Sequence, residues 1–310
     1  MLTEVTAFAP ATVANVGIGF DILGHTVEAV GDRVRLRRIE EPVVRISSIS
    51  GIAGDLPVDP QRNTAGKAVH ALHTALGLDF GFELDIEKGI PLGSGLGGSA
   101  ASAVAAVVAA NALLRVPVPR LQLLKYAMEG EIVASGSAHL DNIAPCLFGG
   151  LTLTVGIDNP RVKQIPVPSS LRCVLAHPHM YLGTREARAI LNTNVTRSDF
   201  VWASANLAGF ISGCYSNDLD MIRDSFNDVI IEPQRQSMIP GFKDVQRGAM
   251  SAGALGCSIS GAGPTIFAWA EIQYAEAVRG AMVAAFAAHG LQSDHWISGM
   301  ENYGARVVKA

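Results

Sequence analysis

The segment Pro91-Leu-Gly-Ser-Gly-Leu-Gly-Gly-Ser-Ala-Ala-Ser102 constrains this chain more than any other. Gly93, Gly95, Gly97 and Gly98 carry no Cβ, so the backbone there can turn its N–H groups inward and let an anion approach closely. Residues 82–86 read as a strand ahead of it, and residues 99–114 are alanine-rich and apolar on nearly every side, as expected of a buried helix. The partly positive N-terminal end of that helix would point at the same anion. Strand, glycine loop and helix together predict a phosphate cradle. The plainer alternative is a glycine-rich turn before a buried helix.

Two familiar phosphate motifs fail on their flanks. Gly93, Gly95 and Gly98 have the spacing of a dinucleotide fingerprint, but that motif needs an acidic residue roughly 20 positions on, and none occurs between Ser99 and Met128. A P-loop needs Gly-Lys followed by Ser or Thr, whereas Gly66-Lys67 is followed by Ala68.

The 310 residues suffice for one large or two ordinary domains. A net charge of -4 offers no basic field for nucleic acid or an anionic membrane, so a small-molecule ligand is expected. The N-terminus does not resemble a signal peptide, and the longest apolar run, residues 103–114, is too short to span a bilayer. Cys146, Cys173, Cys214 and Cys257 are scattered without metal-site spacing, and a reducing cytoplasm fits them best.

Along the chain, residues 33–39 and 43–49 read as paired strands, 63–76 as a helix, then 120–134 and 140–147 as further helices and 151–155 as a strand. Pro160, Pro166 and Pro168 mark a boundary, giving proposed domains 1–166 and 167–310. The second half reads as strands at 171–176, 257–260, 265–270 and 304–308, with helices at 185–191, 200–215 and 274–289. The fold class is α+β.

The glycine segment resembles the ATP-binding motif of the GHMP kinases, and two more segments resemble that family's flanking motifs in the same order: Ala9-Pro-Ala-Thr-Val-Ala-Asn-Val-Gly-Ile-Gly-Phe-Asp21 and Ile259-Ser-Gly-Ala-Gly-Pro-Thr265. The resemblance implies a ribosomal protein S5 domain 2-like N-terminal domain that binds ATP, joined to a ferredoxin-like C-terminal domain. It implies that Pro91, Leu92, Gly93, Ser94, Gly95, Leu96, Gly97, Gly98, Ser99, Ala100 and Ala101 bind the phosphates, with Asn63 near the adenine. Ser99 and Glu131 would hold Mg²⁺. From the residues alone, Asn63 is equally a helix N-cap and Glu131 a surface carboxylate beside Glu129. Where the family usually has Gly-Leu-Gly-Ser-Ser, this chain has Gly97-Gly98-Ser99, one hydroxyl fewer.

The N-terminal segment, residues 137–145 and Thr184-Arg-Glu-Ala-Arg188 resemble the homoserine-phosphorylating branch. That implies L-homoserine as acceptor, ATP as donor, and a homodimer. Arg188 and Arg235 would bind the substrate carboxylate, where a planar guanidinium can meet both oxygens. Asp21 would pair with the ammonium, and Asn15, His139, Asn142 and Gly261 would complete the substrate site. Catalytic roles fall to Ser99, to Asn142 beside the reacting hydroxyl, and to Thr184 polarising it. An amide cannot accept a proton usefully at neutral pH, which leaves the γ-phosphate or Asp141 to take it. Two rivals stand beside this reading. A GHMP kinase acting on another small alcohol would not need both arginines, and a non-catalytic ligand sensor would not need Ser99 and Glu131. His70 and His73 share a helix face without a third ligand, His177 lies at a strand end, and Trp202, Trp269 and Trp296 read as core or rim aromatics.

Overall fold

A computed structural model describes residues 2–52, 55–136, 140–156, 159–300 and 303–309. In chain order the first part contains β1 (Glu4–Ala14), β2 (Leu23–Ile39), β3 (Val44–Gly51), α1 (Thr64–Leu76), β4 (Gly81–Lys88), α2 (Gly98–Ala112), α3 (Leu123–Ser135), α4 (Leu140–Phe148), β5 (Leu151–Val155) and β6 (Arg161–Ile165). The second part contains β7 (Leu171–Pro178), α5 (Thr184–Ala189), α6 (Arg197–Ser216), α7 (Leu219–Ser225), α8 (Glu232–Arg235), α9 (Phe242–Ser251), β8 (Ala254–Ile259), β9 (Ile266–Glu271), α10 (Ala275–Ala288), β10 (Ser293–Ser298) and β11 (Arg306–Lys309).

Alternating side chains build the first sheet, whose strands run β11-β1-β2-β4-β3, with β5 on the near end of β2 and β6 beyond it. Val34 and Leu36 of β2 and Leu84 and Ile86 of β4 point into the core under α2. Their neighbours face outward. Arg33, Arg35 and Arg37 lie opposite Glu87, Asp85 and Glu83 in register. The expected pairing of residues 33–39 with 43–49 is therefore corrected: β4 lies between them, and β3 runs parallel to β4 through the α1 crossover. Charge explains the choice, because Arg45 of β3 meets Glu83, with Nε donating to Oε1 at 2.9 Å, whereas on β2 it would have faced a row of arginines.

The second sheet has the order β10-β7-β9-β8, and its strands β7, β9 and β8 are buried on both faces. Leu171, Cys173 and Leu175 of β7, with Phe267 and Trp269 of β9, join the core shared with the first sheet. The intervening Val174, Ala176, Ile266, Ala268 and Ala270 pack under α9 and α10. Burial on both sides is why these strands read as continuous apolar runs. The closing strand β11 returns to the first sheet and pairs antiparallel with β1. All four cysteines are buried and free of disulfides. No helix among the described residues is long and apolar enough to cross a membrane.

Candidate active site

A cleft of about 640 Å³ opens between the end of β4, the loop into α2, and the turns around residues 183 and 261. Its middle is the glycine segment. Gly93, Gly95 and Gly97 adopt φ of 61°, 76° and 66°, in the left-handed region that a side chain strains. A Cβ on Gly97 would meet Thr12 Oγ1 at 2.1 Å and Asn142 Oδ1 at 2.7 Å. α2 starts at Gly98 with Gly97 as N-cap and no side-chain cap, so the first-turn N–H groups keep their capacity to bind an anion. The loop is braced from the second sheet. Ser260 Oγ donates to Gly95 O at 2.7 Å, and Thr265 Oγ1 donates to Ser94 O at 2.6 Å.

Beside the helix end, Ser99 Oγ donates to Glu131 Oε2 of α3 at 2.7 Å. Burial pushes the Glu131 carboxyl up to about 7, against the opposing pull of the Ser99 hydroxyl and the Lys88 charge. Burial disfavours the ionised carboxylate here, because the surrounding protein solvates the charge less well than water does. An oxygen pair of this kind suits a hard divalent cation that fills its remaining positions with phosphate oxygens and water.

The far end of the cleft carries the charged groups. Asp21, at φ 63°, is held in a two-point pair with Arg188 of α5: Nη2 donates to Oδ1 at 2.7 Å and Nη1 to Oδ2 at 3.1 Å. Arg235 of α8 is 3% exposed and donates through Nε to Ala187 O at 2.9 Å and through Nη1 to Gly261 O at 3.0 Å. Burial first, and repulsion by Arg188 second, lower it to about 10. Both guanidiniums stack on Phe20, with Cζ 5.1 and 5.3 Å from the ring centroid. Two cations on one ring make a site for an anion. Two buried polar atoms here have no hydrogen-bond partner among the described residues, Arg188 Nε and Asp141 Oδ1. Burial, with the charges of Asp21 and Glu131, pushes the Asp141 carboxyl up to about 7.

The family model described as GHMP kinases N terminal domain matches residues 63–150, and that for GHMP kinases C terminal matches residues 210–288. A homoserine kinase of Xylella fastidiosa (strain M12) is 49% identical over 98% of this chain and 94% of its own length. The chain belongs to the GHMP kinase family. A homoserine kinase of Chlorobium phaeovibrioides is 42% identical over 99% of this chain and all of its own. The crystal structure of homoserine kinase from Cytophaga hutchinsonii superposes with a TM-score of 0.96 at 44% identity, covering 99% of this chain and 98% of that one.

Within the GHMP kinase fold, most residues singled out from the sequence line this one cleft: Pro91 to Gly95, Gly97 to Ser99, Glu131, Asn142 and Thr184, with Asn15, Asp21, Arg188, Arg235 and Gly261. Leu96, Ala100 and Ala101 do not line it. Their side chains are buried in the core, where the apolar face of α2 packs. Asn63 borders the cleft and is also the N-cap of α1, its Oδ1 accepting from Ala65 N and Gly66 N. Asn15 is committed to the protein, with Nδ2 donating to Gly261 O at 3.0 Å and Oδ1 accepting from Asp21 N at 3.0 Å. It shapes the substrate end by joining two turns. His139 lies outside the described residues. Sequence reasoning gave no role to Phe20, Thr12, Ser260 or Thr265. All four stand inside the quoted motifs, but nothing in a hydroxyl or a ring announces which neighbour it will brace.

Proposed function

We infer that the protein transfers the γ-phosphoryl group of ATP to the side-chain hydroxyl of L-homoserine, giving O-phospho-L-homoserine and ADP, in threonine biosynthesis. One observation carries the reading. The cradle of amides opens onto a pocket that offers both signs of charge, with the Arg188 Nε donor and the Asp141 Oδ1 acceptor unpaired among the described residues. A zwitterionic amino acid supplies an acceptor for one and a donor for the other. Similarity to homoserine kinases over nearly the whole chain supports the same substrate.

The hydroxyl oxygen of homoserine attacks the γ-phosphorus, the bond from that phosphorus to the bridging oxygen breaks, and ADP leaves with the bond pair. The hydroxyl proton passes to a γ-phosphoryl oxygen. Asn142 cannot take it. Its Oδ1 already accepts from Thr12 Oγ1 at 2.7 Å, so it has N–H donors to offer and orients the hydroxyl oxygen with them. Thr184, at the start of α5, polarises the same hydroxyl. Ser99 and Glu131 would hold Mg²⁺, which supplies neutralisation of the charge on the β- and γ-phosphate oxygens. A homodimeric state and a cytoplasmic location belong to the same proposal, and sedimentation at micromolar concentration measures the first.

An ADP-release assay with homoserine, mevalonate, galactose and shikimate as acceptors tests the substrate. Turnover with homoserine alone is expected, and preference for another acceptor sinks the reading. Asp141→Asn tests the proton route. Direct transfer predicts a kcat within about tenfold of the parent, whereas a loss of about 10³ or more with homoserine still bound would make Asp141 the base.

A further inference from the structure

Beneath the cradle lies an ion pair that the transfer chemistry leaves unused. Asp32 of β2 is fully buried, Lys88 at the end of β4 is 3% exposed, and the two are hydrogen-bonded through Lys88 Nζ and Asp32 Oδ2. Every polar atom of the pair is engaged. Lys88 Nζ also donates to Gly98 O and to Ser102 Oγ, both at 2.8 Å, so its three N–H bonds meet three acceptors. Asp32 Oδ1 accepts from Gly89 N at 3.0 Å and Ile90 N at 3.2 Å, while Oδ2 also accepts from Ser102 Oγ at 2.6 Å.

The placement of these bonds gives the pair a role. Gly89 and Ile90 are where the chain leaves β4 for the cradle, and Gly98 and Ser102 are where it re-enters structure as the first turns of α2. The carboxylate holds one end of the loop and the ammonium the other. Burying two opposite charges is costly, and an apolar pair of the same size would often stabilise a fold as well or better. Such a pair does fix geometry, because its bonds are directional and none can slip without leaving a buried charge unpaired. Gly98 belongs to the same arrangement. A Cβ there would stand 3.2 Å from Ile90 Cγ2 and 3.6 Å from Lys88 Nζ, so a side chain at this position would face the pair.

We propose that Asp32, Lys88 and Ser102 are positioning residues for nucleotide binding, a staple that holds both ends of loop 89–97 at the spacing its amides need to meet the β- and γ-phosphates. The inference rests on the reading of that loop as the ATP site. Lys88 lines the cleft, but with its donors committed it acts through the loop and not by touching phosphate.

Calorimetric titration and steady-state kinetics on the full chain test this, with ATP, ADP and homoserine as probes. If the parent protein fails to bind ATP, the reading of the loop fails, whatever the variants do. Given binding, Ser102→Ala removes one strand of the staple and keeps the ion pair. It is expected to weaken ATP and ADP alike by about fivefold, with the KM for homoserine unchanged and Tm within about 2 °C. The double variant D32L/K88M replaces both charges together and is expected to weaken both nucleotides by about a hundredfold while homoserine affinity holds. If the double variant does not fold, Ser102→Ala decides. Unchanged nucleotide affinity in Ser102→Ala, equal losses for nucleotide and homoserine, or a loss confined to ATP would each overturn the staple. The last outcome would give Lys88 to the γ-phosphate directly.

Discussion

Asp21 and Arg188 pair with each other through two hydrogen bonds, yet each is also what a homoserine zwitterion needs. A ligand bearing both charges can enter such a pair without stranding either partner, since its carboxylate takes up the arginine and its ammonium the aspartate. A ligand with one charge cannot. An acceptor that keeps the hydroxyl and carboxylate but lacks the ammonium, 4-hydroxybutyrate, is therefore expected to show kcat/KM lower by about 10² or more, because it draws Arg188 from Asp21 and brings no ammonium in exchange. Arg188→Lys tests the geometry from the protein side. A point charge cannot replace the two-point contact or the stacking on Phe20, so the KM for homoserine should rise about 10- to 100-fold with the KM for ATP unchanged. These residues were legible in the sequence as members of motifs. Their mutual pairing was not, since Asp21 and Arg188 are 167 positions apart and only the fold brings them together.

At the scale of elements, α3 and α4 carry the two cleft carboxyls that tie the molecule to pH. Burial holds Glu131 and Asp141 near 7, up from the ordinary values of 4.5 and 3.8. The folded protein therefore binds these protons more tightly than the unfolded chain does. Their contribution to stability is full below the unfolded values and is lost as pH rises through about 7. Glu131→Gln removes half of this dependence, so the Tm of the ligand-free variant should fall less than the parent's between pH 5 and 8. The proposed Mg²⁺ role of Glu131 needs the opposite form, because a carboxylate must be ionised to hold a divalent cation. Activity should thus rise with pH on a limb near 7 that moves toward acid as Mg²⁺ is raised, and Glu131→Gln should lower Mg²⁺-dependent turnover by about 10³. A limb that ignores the Mg²⁺ concentration would separate the metal from Glu131. Periodicity located α1, α2, α3, α4 and α10 within a few residues, because each carries a long apolar or amphipathic run. Sequence reading missed β1, whose residues were read only as a motif, and β6, α7, α8, α9 and β10, which are short, and it paired β3 wrongly, because a close neighbour in sequence outweighed a charge match with a strand some 40 residues on.

Over the whole molecule, one of the polar contacts between the two sheets is set wholly in apolar surroundings. Trp269 of β9, fully buried, donates from Nε1 to His25 Nε2 of β2 at 3.1 Å, and the other ring nitrogen of His25 faces Thr26 O at 3.0 Å. Burial lowers His25 to about 4, which keeps the imidazole neutral and able to accept from the indole. Protonation favours the unfolded chain, so this group's stabilisation is present above about 6.5 and is lost as pH falls through 4. Trp269→Phe keeps most of the packing but strands a buried acceptor. It should cost about 1–3 kcal/mol in chemical denaturation, with activity at 25 °C retained. The α+β class and the two-part organisation were open to sequence reasoning. The route of the last strand was not, because nothing in Arg306–Lys309 states which sheet edge it will join. That route, β11 lying along β1, sets an order of events in the cell. The cradle's own sheet cannot be closed until residues 306–309 emerge from the ribosome, so the half of the molecule made first has to wait, one edge bare, for the half made last.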